Sequence, residues 1–401
     1  MKINDTDIVI VAPRRTAVGA FGGVFRHTRA VDLSIPVMRA VAETAGLDFD
    51  QVDDVIWGVA AQRTRDETNH ARVAALRAGF PDTVTGVTVQ RVCVSSLWAI
   101  AAGAQAIRAG DARCILAGGT ESYSTMPYII DGARWGARMG GIEASDPLFD
   151  GLNRIGVGPP MGMTAENLAE KYGISRQEQD EVACQSHARA CRAIDDGLFT
   201  AEIVPIPVPQ RQGDPINIVT DEGPRPDTSM EKLAKLPPVF KKNGTVTAGN
   251  ASSMNDASAG VLVTSGARAR QLGLSPVARI RSYALAGVDP DIMGISPVPA
   301  TRKALERAEL KIEDMDLIEV NEAFAAQYLA VERELGLNRE ITNVNGSGIS
   351  LGHPIGATGC RLVVTLMHEM QRRDVRFGLA ALCGGGGIGL AMVFERLTGG
   401  N

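Results

Sequence analysis

The sequence predicts an α/β fold made of two similar halves with a long insertion between them. Short apolar runs of strand length alternate with helical patterns along the chain. Two short motifs recur at one common spacing, and the residues between the two copies have a different, proline-bearing composition. With 401 residues, the chain is long enough for two or three packed units at the usual ~100 to 200 residues per domain.

The predicted strands and helices follow one another in order. Apolar runs predict strands over residues 8–12, 55–59, 114–117, 277–283, 317–320 and 377–382. Between these runs, apolar residues at helical spacing predict helices over 31–45, 97–109 and 362–372. Such alternation is typical of layered α/β proteins.

The internal duplication involves two motifs. An Asp followed by a buried strand occurs at Asp53 and again at Asp316, and an Asp-x-Arg before a strand that ends in glycines begins at Asp111 and again at Asp374. The spacing within each copy is the same, since 111 − 53 = 58 and 374 − 316 = 58. Two motifs at one offset indicate two similar halves rather than a solenoid, which has a shorter period and more copies.

The segment 121–249 differs from both halves. Prolines in 205–209 and further along exclude a continuous helix there, and only 164–171 and 176–193 are predicted to be helical. We interpret the segment as an insertion that covers the first half. It also contains a basic cluster, for which a solvated face and a binding site for an anionic ligand both remain open: Arg225, Lys232, Lys235, Lys241 and Lys242.

Composition excludes several classes of function. With 41 basic and 46 acidic side chains the net charge is −5, which argues against nucleic acid as a partner. No uninterrupted apolar stretch approaches the ~18 residues of a membrane span. The six cysteines form no CxxC pair and only five histidines are present, so no metal site is expected. A polar start and dispersed cysteines predict free thiols in the cytoplasm.

Cys93 is the first candidate for chemistry. It lies where a β-rich run gives way to a helical one. A thiol at the N-terminus of a helix is expected to favour the thiolate, which is the nucleophilic form. A buried structural cysteine is the alternative interpretation.

His353 is the second candidate, and it lies in a glycine-rich turn that opens a helix. A rigidly held imidazole suits a base beside a nucleophile. Adding the repeat offset, 316 − 53 = 263, to position 93 gives 356, three residues from His353. The two motifs therefore occupy matching places in the two halves; without that match His353 would be a packed loop histidine.

Two further candidates follow predicted strands. Cys383 precedes four glycines whose backbone N–H groups can approach a ligand; a phosphate cradle is the alternative, although the P-loop lysine and Ser/Thr are absent. Asn321 ends a strand, where its amide could hold a catalytic water or cap a helix.

Taken together, these motifs closely resemble the thiolase family along the whole chain: VCVSS around Cys93, GTVTAGNASSMNDASAG from Gly244, NEAFA from Asn321, GHPIGATG from Gly352 and CGGGG from Cys383. The resemblance implies the five-layered αβαβα thiolase fold, with two βαβαβαββ halves and an inserted loop domain that covers coenzyme A. The implied boundaries are 1–120 with 250–272 for the N-terminal half, 121–249 for the loop domain and 273–401 for the C-terminal half.

The resemblance also implies roles. Cys93 matches the nucleophile that becomes acylated, His353 the base that activates it, and Cys383 the acid/base that protonates the departing acetyl-CoA carbanion. His353 with a water held by Asn321 would form one oxyanion hole, and the backbone N–H groups of Cys93 and Gly385 the other, which is stabilisation by fixed donors.

Substrates and assembly follow from the same resemblance. Ser252 and Arg225 match positions that contact coenzyme A, which is expected as a co-substrate, with no tightly bound cofactor and no metal. A homodimer or homotetramer is implied. The expected reaction is thiolytic cleavage of 3-ketoacyl-CoA in fatty acid β-oxidation. The alternatives are a biosynthetic thiolase that forms acetoacetyl-CoA, a ketosynthase-type condensing enzyme, which Cys383 disfavours, and a non-catalytic acyl-CoA-binding protein.

Two departures from the family pattern lead to predictions about the substrate pocket. Val94 and Ser96 replace the glycines of VCGSG and predict a bulkier pocket floor. Pro160 stands where members specialised for acetoacetyl-CoA carry a histidine, which predicts a broad chain-length profile with C6 or longer substrates cleaved at least as well as acetoacetyl-CoA. Four side chains are available to line an acyl pocket or to pack in the core: Trp98, Met161, Met163 and Met293.

Overall fold

A computed structural model describes residues 3–61 and 67–397. The strands are β1 Ile8–Arg15, β2 Gly19–Ala20, β3 Asp54–Val59, β4 Thr85–Val89, β5 Cys114–Ser122, β6 Ile206–Val208, β7 Ile216–Ile218, β8 Asn255–Ser265, β9 Ala278–Gly287, β10 Leu317–Val320, β11 Phe377–Gly384 and β12 Ile388–Arg396. The helices are α1 Ala30–Ala45, α2 His70–Ala78, α3 Ser95–Ala109, α4 Pro147–Asn153, α5 Met161–Tyr172, α6 Arg176–Asp195, α7 Met230–Ala234, α8 Gly266–Gln271, α9 Pro297–Ala308, α10 Ala325–Leu335, α11 Gly348–Leu351 and α12 Ile355–Arg372.

One large mixed sheet runs through the molecule in the order β10-β11-β12-β9-β1-β8-β5-β3-β4, with the short β2 paired to β8. Strands β3, β4 and β5 pair in parallel, as do β10 and β11, while the remaining pairs of this sheet are antiparallel. A short pairing of β1 with β9, at Val9 and Ile10, joins the two halves of the sheet.

The helices form three layers around the two halves of the sheet. Buried side chains of α3 and α12 share one core cluster with strands from both halves. On the outside, α1 and α2 pack on the N-terminal part of the sheet, and α9 and α10 pack on the C-terminal part. The order of layers is therefore helix, sheet, helix, sheet, helix, as predicted.

The duplication is visible in equivalent hydrogen bonds. The Asp53 carboxylate accepts the backbone N–H groups of Arg113 and Cys114 at 2.7 and 2.9 Å. The Asp316 carboxylate accepts the N–H groups of Arg376 and Phe377 at 3.0 and 2.7 Å. All three positions differ by 263, so the recurring Asp ties the start of an equivalent strand in each half.

The two halves differ in one strand and one connection. In the C-terminal half the third parallel strand is reduced to a bridge between Ile318 and Thr342, where the N-terminal half has β4. Strands β11 and β12 are joined by a tight glycine turn, whereas the equivalent strands β5 and β8 are joined by residues 123–254. The insertion thus occupies, in the N-terminal half, the place of the glycine turn that joins β11 and β12 in the C-terminal half.

The predicted elements are mostly confirmed, with corrections. Strand 317–320 has the predicted bounds, whereas β8 and β12 were not predicted as strands. The prediction of only two helices in the insertion is wrong, because α4 and α7 also form there; each begins with a side chain, of Asp146 and Ser229, that caps a backbone N–H. The boundaries expected for the three units stay predictions, and their termini at 1–2 and 398–401 lie outside the described residues.

Within the described ranges, one segment is long and apolar enough by composition to span a membrane. It covers Val92–Ala109, with a mean hydropathy of 1.3, and 56% of it is buried inside the protein. This segment contains α3, which packs between the two halves of the sheet. The burial of α3 in that central position explains why it is apolar.

Candidate active site

A cavity of about 520 Å³ opens between the insertion and the ends of the central helices. Five of the residues predicted to act in the site line this cavity: Cys93, Ser252, His353, Cys383 and Gly385. The two halves and the insertion all contribute to its wall. Residues that are 290 positions apart in the sequence, Cys93 and Cys383, therefore share one chamber.

The turn before α3 fixes the position of Cys93. Ser95 closes the turn, because its hydroxyl accepts the N–H of Arg91 at 2.8 Å and donates to the carbonyl of Val92 at 2.6 Å. Val92 has φ of +51°, which is unfavourable for a β-branched residue. Such a conformation immediately before a candidate nucleophile is typical of functional turns.

Burial keeps the Cys93 thiol protonated in the resting cavity. Loss of hydration raises its pKa to about 12; hydrogen bonds from the backbone N–H groups of Gly385 and of Cys93 itself act in the opposite direction. The expectation that the helix N-terminus makes Cys93 a thiolate is therefore wrong for this state, because desolvation outweighs it. To act as a nucleophile this thiol would need a base, and the two N–H groups are already directed at the Cys93 sulfur.

His353 is held by the backbone and by two side chains. The Asn255 side chain accepts the N–H of His353 at 2.9 Å, and Gly352, at φ of +100°, leaves no room for a Cβ against the same Asn255. Nδ1 of the imidazole lies 2.7 Å from the Thr358 hydroxyl. Burial, with a smaller effect of Arg361, lowers the pKa of His353 to about 3. The ring is therefore neutral at rest, with a proton on one nitrogen and a lone pair on the other.

Asn321 lies behind His353 rather than in the cavity wall. It is fully buried, and its Nδ2 is 3.4 Å from Nδ1 and 3.5 Å from Nε2 of His353. Because these two distances are nearly equal, the Asn321 amide is directed at neither nitrogen of the His353 ring. Its Oδ1 has no hydrogen-bond partner within the described part of the chain, so Asn321 has an acceptor available for a small polar molecule.

Cys383 is the penultimate residue of β11 and lies immediately before a turn of glycines. Gly386 and Gly387 have positive φ, and a Cβ on Gly387 would lie 2.2 Å from the carbonyl oxygen of Val288. Burial raises the pKa of Cys383 well above its usual range, and the proximity of Cys93 adds to the shift. The second thiol is thus also protonated at rest.

The candidate coenzyme A residues occupy different positions. Ser252 lines the cavity, and its N–H donates to the carbonyl of Ala323 at 3.0 Å. Arg225 is exposed and is not a lining residue; its N–H donates to His187 Nδ1 at 3.1 Å. In the basic cluster several lysines have acidic partners, in the pairs Lys232–Asp227, Lys235–Glu231 and Lys241–Glu170.

Glu121 is a site residue that was not predicted from the sequence, and its carboxyl is buried near the end of β5. It accepts the N–H of Gly356, in the first turn of α12, at 2.9 Å and the N–H of Ala60 at 3.2 Å. Loss of hydration raises its pKa to about 8. The signal available in the sequence was an ionisable residue two positions after the glycines Gly118-Gly119 of an otherwise uncharged strand. Glu121 holds the start of the helix that follows His353.

The apolar wall of the cavity comes largely from the insertion. Of the four side chains considered from the sequence, Met161 and Met293 line the cavity, whereas Trp98 and Met163 do not. The sequence analysis missed Ile155 and its neighbours Leu148 and Val157. The Ile155 Cδ1 atom lies 3.1 Å from the position that a Cβ on Gly385 would take, so Ile155 packs against the glycine beside Cys93.

Val94 and Ser96 do not form the pocket floor. Both are fully buried and neither lines the cavity. Val94 belongs to the central core cluster, and the Ser96 hydroxyl accepts the N–H of Cys360 at 2.9 Å, which links α3 to α12. The expectation of a bulkier floor is therefore wrong, because these side chains point away from the cavity.

Two similar halves bring two thiols and an imidazole to one cavity. This arrangement is that of an α/β enzyme whose active site lies between duplicated units. Family models described as thiolase, N-terminal domain, and thiolase, C-terminal domain, match residues 8–267 and 274–396. The chain belongs to the thiolase family. The family, the fold and the general class of enzyme, an acyltransferase, are thereby confirmed.

Similar proteins cover nearly the whole chain. An acetyl-CoA acetyltransferase of Pseudomonas aeruginosa is 54% identical over 97% of this chain and 99% of its own length. The crystal structure of the Bacillus anthracis acetyl-CoA acetyltransferase has a TM-score of 0.94 and 49% identity, over 98% of this chain and 99% of that one. Human mitochondrial 3-ketoacyl-CoA thiolase in complex with CoA has a TM-score of 0.94 and 43% identity, over 99% and 100% of the two chains.

Proposed function

We propose that the protein cleaves 3-ketoacyl-CoA with coenzyme A to give acetyl-CoA and an acyl-CoA shortened by two carbons. The observation that carries this proposal is the placement of Cys93, His353 and Cys383 around one cavity, with the N–H of Gly385 hydrogen-bonded to the Cys93 sulfur. Coenzyme A acts as a co-substrate, as the CoA complex of the human relative supports.

The first half-reaction forms an acyl-enzyme. His353 accepts the Cys93 proton, and the sulfur forms a bond to the 3-keto carbon while the N–H groups of Cys93 and Gly385 stabilise the developing oxyanion. The bond between C2 and C3 of the substrate then breaks. Cys383 donates its proton to the C2 carbanion, so that acetyl-CoA leaves and the shortened acyl group stays on Cys93.

The second half-reaction is thiolysis. The Cys383 thiolate, which lost its proton in the first step, takes the proton of the incoming coenzyme A thiol. The coenzyme A sulfur forms a bond to the acyl carbon, and the bond from that carbon to the Cys93 sulfur breaks. The Cys93 thiolate then takes its proton back from His353, which becomes neutral again. In the account proposed here, Asn321 holds a water beside His353, and Ser252 and Arg225 contact coenzyme A. The same residues in reverse order would give the Claisen condensation of a biosynthetic thiolase.

The wall of the cavity supports substrates longer than acetoacetyl-CoA. Ile155, Met161 and Met293 present apolar surface close to Gly385 and Cys383. Each methylene placed in such a pocket is worth only ~1 to 3 kcal/mol, so the profile should be broad. This broad profile supports a role in β-oxidation over a role restricted to acetoacetyl-CoA. As part of the same proposal, the enzyme is a cytoplasmic homodimer or homotetramer.

A chain-length series tests the function. Purified protein is mixed with coenzyme A and 3-ketoacyl-CoA of four to twelve carbons, and kcat/KM is measured from loss of the 3-keto absorbance. Substrates of six or more carbons should be cleaved at least as efficiently as acetoacetyl-CoA. Strict preference for acetoacetyl-CoA would overturn the substrate range, and no coenzyme A-dependent loss of any substrate would overturn the reaction itself.

A further inference from the structure

Nδ1 of His353 has a hydroxyl partner whose role is not explained by the reaction above. Thr358 lies five residues after His353, in the first turns of α12, and its Oγ1 is 2.7 Å from Nδ1. Thr358 is fully buried and His353 is 7% exposed. Water therefore does not compete for this contact, and a hydrogen bond there determines where the imidazole carries its proton.

The direction of this hydrogen bond follows from the next partner. The Thr358 hydroxyl is also 2.8 Å from the carbonyl oxygen of Pro354. A carbonyl only accepts and a hydroxyl has one hydrogen, so both contacts are hydrogen bonds together only when the Thr358 hydrogen goes to Pro354. The Thr358 oxygen is then the acceptor, and Nδ1 of His353 is the donor.

We propose that Thr358 is a positioning residue that keeps the His353 proton on Nδ1 and leaves the lone pair of Nε2 to take the proton of Cys93. The base role of His353 rests on the proposed function; the position of its proton does not. When His353 becomes an imidazolium, Nδ1 still donates to Thr358, so the contact also favours the charged ring. Asn321 does not replace it, because its nearest atom is the amide nitrogen at 3.4 Å, a donor in this orientation.

The proton position is read without substrate. Protein labelled with ¹⁵N-histidine is studied by NMR at neutral pH, where Nδ1–H and Nε2–H tautomers give distinct nitrogen shifts. The His353 signal is assigned by its loss in His353→Asn. The wild type should show the proton on Nδ1, Thr358→Ser should keep it there, and Thr358→Val should move the signal toward the Nε2–H form. A wild-type proton on Nε2, or no change in Thr358→Val, overturns the proposal.

Kinetics give the second readout. Loss of a hydrogen bond to a group that becomes charged predicts a roughly 10- to 100-fold slower acylation of Cys93 in Thr358→Val, with KM nearly unchanged and with recovery in Thr358→Ser. The matched control is Thr301→Val in α9, because the buried Thr301 hydroxyl has no hydrogen-bond partner among the described residues.

The outcomes are distinguishable. An equal loss in Thr358→Val and Thr358→Ser, or in the Thr301→Val control, would contradict a role for the hydroxyl. If the wild type shows the Nδ1 proton yet cleaves no 3-ketoacyl-CoA, the proposed function fails and the assignment of Thr358 stands.

Discussion

The N-terminal and C-terminal halves share a scaffold but place different chemistry on it. The helices α3 and α12 are equivalent central helices, and the turn before each carries a candidate catalytic group, Cys93 in one half and His353 in the other. Asp53 and Asp316 keep the same backbone contacts in both. The duplicated unit thus retains the residues that tie its strands, while the residues at the ends of those strands and helices differ between the halves.

The same divergence occurs on the equivalent strands β5 and β11. Position 120 is equivalent to 383, since 120 + 263 = 383: Thr120 has a hydroxyl that donates to the carbonyl of Ala257 at 3.0 Å, whereas Cys383 presents a thiol to the cavity. In the N-terminal half the chain then enters the long insertion, and in the C-terminal half it turns back through glycines. One half thus supplies the candidate nucleophile and the apolar cover, and the other supplies the candidate base and the second thiol.

The largest expected effect separates the two thiols. Cys93→Ala and Cys383→Ala should each lower the rate of 3-ketoacyl-CoA cleavage on the order of 10³-fold or more. Only Cys383→Ala should still accept an acyl group from acyl-CoA, because it retains the nucleophile and lacks the group that handles the carbanion. The measurements are steady-state cleavage and transfer of labelled acyl groups.

The control for this pair is Cys360→Ala, which removes a buried thiol of α12 that does not line the cavity. It should keep the full mechanism even if packing is weakened. Similar, mild losses in Cys93→Ala and Cys383→Ala would contradict the division of roles between the halves.

The second prediction concerns Glu121, which is equivalent to Gly384, since 121 + 263 = 384. The buried carboxyl has a pKa raised to about 8 in the folded protein, against 4.5 as its ordinary value. Its protonated form contributes stability that is fully present below pH 4.5 and is lost as the pH rises through about 8. Glu121→Gln should therefore gain stability relative to the wild type across this window, by at most about 1.4 kcal/mol per pH unit.

Urea unfolding at pH 5, 6.5 and 8 measures this difference, because Gln keeps the acceptor for Gly356 but does not titrate. Glu222→Gln, at an exposed carboxylate, provides the matched control and should show no such trend. A stability difference between wild type and Glu121→Gln that is independent of pH would show that Glu121 is ionised in the folded state.

The third prediction tests the equivalence of the halves directly. Asp53→Ala and Asp316→Ala each leave two backbone N–H groups without their acceptor, and each should lower the free energy of unfolding by about 1 to 3 kcal/mol. The exposed contact of Asp53 with Arg113 at 3.5 Å adds little. Asp→Asn at the same positions retains one acceptor oxygen and should lose less. A loss in only one half would show that the two motifs are not equivalent.

The smallest expected effect is that of Ser96→Ala. Loss of its hydrogen bond with Cys360, between α3 and α12, should lower the free energy of unfolding by about 1 kcal/mol. The chain-length profile should not change, because Ser96 faces the core. A shift in that profile, measured as kcat/KM for four- and eight-carbon substrates, would mean that Ser96 influences the acyl pocket.

The sequence was sufficient to predict those strands and helices that depend on a local residue pattern and those site positions that depend on the internal duplication. The strand 317–320 is apolar at three of its four positions, and the offset of 263 correctly placed the Cys93 and His353 motifs at matching ends of the central helices. The strand β8 was missed because it begins with Asn255-Asp256-Ala257-Ser258, small and polar residues that are buried between other strands and show no alternation.

Other features depend on contacts between distant segments. The orientation of Val94 and Ser96, the cover that Ile155 places over Gly385, and the protonated state of Cys93 arise only when the insertion and both halves meet. Helix position alone suggested a thiolate, and burial from several directions reverses that prediction. Local sequence carries no record of such burial.

The central claim is that Cys93 carries the acyl group between the two half-reactions. The direct measurement is intact-protein and peptide mass spectrometry after brief incubation with acetyl-CoA and rapid acid quenching. We predict one added acetyl group, on the peptide that contains Cys93, its absence in Cys93→Ala, and its removal on addition of free coenzyme A. An unmodified protein, or an acetyl group on Cys383 instead of Cys93, would contradict the account.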